Sequence, residues 1–276
     1  MDLLIDHVPA APLRHVVLSA VGYRASPLPG GVHRGLPSLG ATLVVELAGP
    51  LRVSGDFGRV AAHGVLAGLH TRPVAIDADR EQEGLQYALS PWGLRALARA
   101  SPAELCNHSL DLAEVLGTPG ARLVERLHGT ADWGERFRLL DDALIALLIR
   151  DVPPLRPEVG EAWRLIAASS GRLTISEVAA RVGWGRRHLS EQFRQVTGLT
   201  PKEAARIARF TAARDLLRTS ARPSLADIAA VCGYSDHSHL SREWRSLAGV
   251  SARTWMREEL PFLQDADGPT AADWVP

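Results

Sequence analysis

Two stretches of the chain present the same kind of polar face. Arg187, Ser190, Glu191 and Arg194 fall on one side of a helical period, and His237, Ser238, Ser241, Arg242 and Arg245 fall on one side of another. Guanidinium forks, hydroxyls and a carboxylate in such rows do binding chemistry: they offer donors and acceptors to a polar, anionic surface. The charge distribution has the same sense. Residues 171–260 hold 15 Lys+Arg against 9 Asp+Glu, a net +6, so the rest of a chain of zero net charge carries −6. A neutral total hiding a basic C-terminal segment suits a polyanion-binding module joined to something that is not one.

Bond-making chemistry finds little support. There is no Gly-rich phosphate loop and no Gly-x-Ser-x-Gly elbow. The His-x-His of His237-Ser238-His239 would put its two rings on different sides of a helix. His7, His15, His33, His63 and His70 lack a close His-x-His plus carboxylate grouping. Cys106 and Cys232 are too few for a disulfide framework or a four-ligand zinc site, and both are expected as small core residues. The expectation is a protein without catalytic residues, metal or cofactor.

The two polar faces belong to a repeated unit. Val178-Ala179-Ala180-Arg181-Val182-Gly183-Trp184 aligns with Ile228-Ala229-Ala230-Val231-Cys232-Gly233-Tyr234, and Leu189-Ser190 to Gly198 with Leu240-Ser241 to Gly249. The offset grows by one residue between the two matches, so the second turn is one residue longer. Thr174-Ile175-Ser176-Glu177 has the form of a capping box and opens a helix with Val178, Ala179 and Val182 inward. Gly183 can take the left-handed conformation of a sharp turn. A second helix, from about Arg186 to Val196, buries Leu189, Phe193 and Val196. The later copy starts at Ser224-Leu225-Ala226-Asp227, turns at Gly233, and continues from about Asp236 to Leu247 with Leu240 and Trp244 inward. A short helix, a glycine turn and an amphipathic helix make a helix-turn-helix. Between the copies, Thr200 caps a helix over Pro201–Arg218 with Ile207, Phe210, Ala213, Leu216 and Leu217 at spacings of three to four. At 1.5 Å per residue this rod spans roughly 27 Å, enough to hold two reading helices about one DNA turn apart.

Upstream, residues 1 to about 90 contain short apolar runs broken by Gly and Pro: His15–Leu18, Ala41–Leu47, Leu51–Val53, Val60–Leu66, Val74–Ile76 and Leu85–Leu89. They predict strands of a sandwich or small barrel. From Pro91 the period becomes helical, through Trp92, Leu94, Ala96 and Leu97, then Leu110, Leu112, Val115 and Leu116. Thr118-Pro119 predicts an N-cap followed by proline in the first turn. A helix over Asp132–Arg150 lines up Phe137, Leu140, Leu144, Leu147 and Leu148 as either core or a homodimer surface. Three prolines within Asp151–Pro157 mark a boundary. The predicted organisation is thus α+β: a β-rich domain with trailing helices over 1–150, a Pro-rich linker over 151–157, an all-α domain over 158–260 and an irregular acidic tail over 261–276. Neither a signal sequence nor a membrane-spanning run is evident, which leads to the expectation of a cytoplasmic protein with no membrane partner.

Gly198-Leu199-Thr200-Pro201, Arg209 with Ala213 and Leu216-Leu217, and Ile228–Arg242 closely resemble the AraC/XylS family of bacterial transcription regulators over residues 171–257. Gly185 stands where that family has Ser, Ala204 where it has an aromatic residue and Ala252 where it has Pro. The resemblance implies two helix-turn-helix units entering successive major grooves of promoter or operator DNA. It also implies an N-terminal cupin-like or β-barrel domain that senses an effector or mediates dimerisation, and RNA polymerase as a partner. By position, Arg187, Ser190, Glu191, His237, Ser238 and Arg242 would face base edges, and Arg186, Arg194, Ser241 and Arg245 would face phosphates. An ion pair of Glu191 with Arg187 or Arg194 is the plainer role for that carboxylate. Tyr87 and Trp92 are expected near the mouth of an effector pocket. The resemblance favours an activator, the alternative being a ligand-free dimeric regulator or repressor.

Overall fold

The computed structural model describes residues 2–98, 100–148, 156–219 and 223–259. Two compact units divide the chain: residues 1–35, 40–68 and 74–152 form one, and residues 36–39, 69–73 and 153–276 the other. Residues 151–155 of the Pro-rich linker and the tail over 261–276 lie outside the described residues.

The first unit runs β1 (Leu3–His7), a 3-10 turn at Ala11–Leu13, β2 (Val17–Ala25), β3 (Val32–Gly35), β4 (Ala41–Glu46), β5 (Leu51–Gly55), β6 (Gly58–Ala62), β7 (Gly64–Ala67), β8 (Val74–Asp77), β9 (Gln82–Leu89), α1 (Pro91–Ala98), β10 (Ser109–Asp111), α2 (Leu112–Leu116), α3 (Thr118–His128) and α4 (Trp133–Leu147). Its strands pair antiparallel into a six-stranded sheet, β1-β2-β9-β4-β7-β10, and a four-stranded sheet, β3-β8-β5-β6. Alternation along β4 shows how the layers form. Ala41, Leu43 and Val45 bury in a core shared with α1, α3 and α4, while Val44 packs with Leu51, Val53, Ala62 and Val65 in a smaller cluster.

Several expectations need correction. The Phe137, Leu140, Leu144 stripe of α4 is domain core: these residues are at most 3% exposed, and Leu147 and Leu148 pack half-buried beside them, so this face is not open to a second copy. Tyr87 is not at a pocket mouth. It lies on a strand flanked by β2 and β4 and is 0% exposed. Its hydroxyl donates to Asp141 Oδ1 at 2.8 Å, and Asp141 Oδ2 also takes His7 Nε2 at 3.0 Å and the Ala10 amide at 2.7 Å. Trp92 is half-buried on α1. The run Val60–Leu66 breaks at His63 into two strands, and Leu110 belongs to a strand, not a helix. Gly117, at φ 63°, caps α3, which leaves Thr118 as its first residue.

The second unit is helical: α5 (Pro157–Ala168), α6 (Ile175–Arg181), α7 (Arg186–Thr197), α8 (Pro201–Arg218), α9 (Leu225–Val231), α10 (His237–Ala248) and α11 (Ala252–Glu258). α8 packs against α5, α7, α9 and α10 and is the spine of the unit. Its bounds, and the start of α7, coincide with those expected from sequence. Leu189 and Phe193 of α7, and Leu240 and Trp244 of α10, are all buried. α11 had no expectation of its own. Ser251 caps it, and it carries Trp255 to within 5.5 Å of the Trp244 ring. No helix among the described residues is long and apolar enough to cross a membrane.

Candidate nucleic-acid interface

Local hydrogen bonds build both helix pairs in the same way. The Thr174 hydroxyl accepts from the Glu177 amide at 3.2 Å while the Glu177 carboxylate accepts from the Thr174 amide at 2.8 Å. Ser224 and Asp227 repeat this box at the start of α9, and Thr200 and Glu203 use it to start α8. Each first helix then stops by the same device. Trp184 N donates back to Ala179 O, and Tyr234 N to Ala229 O, both at 2.9 Å, across Gly183 and Gly233 at φ 73° and 76°. These bonds satisfy carbonyls left over at the helix end and need a residue that tolerates positive φ.

The turns differ where α7 and α10 begin. α10 is capped by Asp236, whose Oδ1 accepts the His239 amide at 2.7 Å. α7 is preceded by Gly185, which supplies no side-chain cap. The additional residue in the second turn is therefore part of a capped helix start.

Equivalent positions in α7 and α10 are 51 apart, so Arg186 matches His237, Arg187 matches Ser238, Glu191 matches Arg242 and Arg194 matches Arg245. All eight are exposed, while Ser190 and Ser241 are both half-buried at the margin of the face. Arg187 Nε donates to Glu191 Oε1 at 2.9 Å, an i,i+4 pair that raises the guanidinium above its ordinary pKa. Among the described residues, Arg186, Arg194, Arg242 and Arg245 make no ion pair. Every residue expected to contact nucleic acid thus lies on α7 or α10, eight of them on the exposed face and Ser190 and Ser241 at its margin. Gln195 and Ser246, also exposed and 51 apart, extend the two faces; the helical period from Glu191 and Arg242 would have found them.

The positioning groups were not legible in advance. Arg206 Nε of α8 donates to Glu243 Oε1 of α10 at 2.8 Å, and Arg209 Nη2 lies 3.9 Å from Oε2. Arg209 also sits over the Tyr234 ring, 5.7 Å from its centroid. His239 is half-exposed: its ring meets Tyr234 edge-on and its Nε2 lies 3.7 Å from Glu243 Oε1. His188, its counterpart, is exposed against Trp184. Cys232 is a core residue whose thiol is pushed up to about 11 by burial. The structure joins His63 and His128, ring nitrogens 3.0 Å apart, in the first unit. Among the described residues no cluster of three or more His, Cys, Asp or Glu could hold a metal ion.

Two helix pairs mounted on one linking helix define a double helix-turn-helix. Residues 178–258 match the family described as "Helix-turn-helix domain", and this segment is a helix-turn-helix domain of the AraC type. The chain is similar to the HTH-type transcriptional activator RhaS of Klebsiella pneumoniae, with 44% identity over 69 residues covering 25% of this chain and 24% of that protein. It is also similar to RhaS of Escherichia coli, with 39% identity over 87 residues covering 32% and 31%. The chain thus matches less than a third of the length of these relatives. Among solved structures, ToxT from Vibrio cholerae shares the fold at a TM-score of 0.53 and 12% identity, over 87% of this chain and 97% of that one. A ToxT structure with bound unsaturated fatty acid scores 0.52 at 10% identity, over 91% and 97%.

Proposed function

We propose that the protein is a sequence-specific, DNA-binding transcription regulator whose α7 and α10 enter successive major grooves. The observation that carries this reading is the pair of exposed polar faces, 51 residues apart, each backed by a buried aromatic residue, Phe193 against Trp163 of α5 and Trp244 against Phe210 of the spine α8. The base-facing group is Arg187, Ser190 and Glu191 on α7 with His237, Ser238 and Arg242 on α10. Arg186, Arg194, Ser241 and Arg245 serve phosphates, which set register without reading sequence. Because the inward residues of the two units match and the outward ones differ, one chain reads two unlike half-sites, and its site has a direction.

The β-rich unit responds to a small molecule and shifts the fraction of protein able to bind DNA. The regulator acts as an activator, as the name of the RhaS relatives, transcriptional activator, suggests, and RNA polymerase is the partner such a role calls for. Fatty acids are the first ligands to try, given the ligand of the fold-sharing ToxT structure, and a ligand that binds only the native state raises the melting temperature.

The test of the main reading is retardation of DNA from upstream of the protein's own gene by the full-length chain at low salt. Wild type retards a discrete fragment, and the Arg187→Ala, Arg242→Ala double variant, folded by circular dichroism, loses preference for it over bulk DNA. Failure of wild type to retard any such fragment, or equal preference in the double variant, overturns the reading.

A further inference from the structure

The ion pair on α7 has no counterpart on α10. Where α7 has Arg187 and Glu191, the equivalent positions of α10 are Ser238 and Arg242, so the pair is not a requirement of the helix-turn-helix fold. Its geometry is selective. Glu191 Oε1 takes the Nε donor of Arg187 at 2.9 Å, the side-on nitrogen, and the two terminal nitrogens keep their hydrogens for something else. The Arg187 side chain is 94% exposed, and Glu191 is its one ion-pair partner among the described residues. Left alone, so exposed a guanidinium samples many rotamers and loses that freedom on binding; held at Nε, it presents its fork already oriented. The carboxylate gains as well. A bare carboxylate on a face turned to DNA repels phosphates, and the adjacent guanidinium offsets that repulsion.

We propose that Glu191 is a positioning residue for DNA recognition: it fixes Arg187 through Nε so that the terminal nitrogens meet one base pair, and it does not read a base itself. This rests on the DNA-reading function of α7 and replaces the direct base contact that position alone implies for Glu191. The base pair fixed by Arg187 is a guanine in the purine strand, because the guanidinium fork matches the O6 and N7 acceptors. α10, with no such pair, reads through Arg242, the sixth residue of its helix, whereas Arg187 is the second of α7. The two arginines are therefore displaced by about one turn, roughly 6 Å along their helices, nearly two base-pair steps. Their guanines do not sit at equivalent places in the two half-sites.

The experiment is selection of bound sequences from a library randomised over the site, using full-length wild type, Arg187→Ala, Glu191→Ala, Glu191→Gln and the Arg187→Ala, Glu191→Ala double variant. Arg187→Ala is expected to lose roughly 5- to 150-fold discrimination at one guanine. Glu191→Ala loses several-fold discrimination at that same base pair and nothing further in the Arg187→Ala background. Glu191→Gln, which keeps an oxygen acceptor for Nε, restores most of it, and the positions read by α10 are unchanged throughout. The proposal is overturned if Glu191→Ala alters a base pair that Arg187→Ala leaves intact, adds fully in the double variant, or leaves the profile unchanged. Absence of any sequence preference in wild type removes the DNA-reading function itself, a result separate from those three.

Discussion

Phe210, midway along α8, packs its ring against Trp244 of α10 with centroids 4.8 Å apart, and both side chains are fully buried. In the first helix pair, Phe193 of α7 stacks on Trp163 of α5 with centroids 5.7 Å apart. Each outward face is thus anchored by one large aromatic residue on the opposite side of its helix. Truncating such a residue loses its burial and leaves a cavity, so Phe210→Ala should destabilise the helical unit by about 3 to 5 kcal/mol. Urea unfolding followed by tryptophan fluorescence checks this; a loss below about 1 kcal/mol would mean that α10 is held by other contacts.

Gly171 ends the turn between α5 and α6 at φ 69°, and a Cβ there would lie 2.0 Å from the Ala205 carbonyl oxygen of α8. That atom is backbone in the middle of a packed helix and cannot step aside cheaply. Gly171→Ala should destabilise the unit by at least about 1 to 3 kcal/mol from the positive φ alone, with the clash added. An unchanged melting temperature would show that the turn and α8 are not as close as described.

The C-terminal unit was legible because its signals are local. Capping boxes join residues three apart, the stop at Gly183 or Gly233 joins residues five apart, and the inward pair Leu189 and Phe193 is about one turn apart. What sequence left open is non-local. Ser109–Asp111 becomes a strand because it pairs with Val65–Ala67, more than forty residues earlier. β1 and β3 are short, partly exposed strands with little apolar periodicity, and only their partners β2 and β8 define them. The stripe of α4 announces an apolar face, but whether that face meets a sheet or a second copy is decided by residues such as Tyr87, which reaches Asp141 across 54 positions. In the candidate interface the outward residues followed from periodicity, whereas the Arg206–Glu243 bridge across 37 positions did not.

Glu46 is 1% exposed on β4 and its carboxyl lies above the ordinary 4.5, chiefly through burial, despite hydrogen bonds from the Glu83 amide, the Tyr23 hydroxyl and the Ala48 amide. A raised folded-state pKa means that the native protein binds this proton more tightly than the unfolded chain. The resulting stability is complete below about 4.5 and is lost as pH rises through the folded value. Glu83 acts in the opposite sense: burial pushes it up, but Arg136 and Arg24 outweigh that and hold it below its ordinary value. Its contribution is lost as pH falls through that lower value. Glu46→Gln should therefore remove the decline on the alkaline side of 4.5 and keep the decline on the acid side. Melting temperatures between pH 3 and 8 decide this, and an unchanged alkaline limb would acquit Glu46.

Gly185 precedes α7 at φ −75° and ψ 151°, the extended conformation of a helix N-cap, and nothing lies within 4 Å of a Cβ built there. A hydroxyl at this position can accept an amide of the first turn, as Asp236 does for α10. Gly185→Ser is expected to stabilise the unit by a few tenths of a kcal/mol, and Asp236→Ala to lower the melting temperature. Equal effects of Gly185→Ser and Gly185→Ala would show that the gain comes from the unfolded chain and not from a cap.

Arg242 and Arg245 lie three residues apart on α10, both exposed and neither in an ion pair among the described residues, yet they are assigned different work. A base contact carries sequence information, whereas a phosphate contact mainly releases counterions. Arg242→Ala should therefore weaken the specific site by about 1 to 3 kcal/mol and relax one base position. Arg245→Ala should weaken every sequence about equally and reduce the dependence of log K on log salt by about one unit. Binding isotherms at several salt concentrations, on the best site and on a scrambled one, separate the two. If Arg245→Ala relaxes a base position while Arg242→Ala only flattens the salt dependence, α10 is rotated in its groove by about 60° from the orientation proposed, because three residues turn an α-helix by roughly 300°, about 60° short of a full turn.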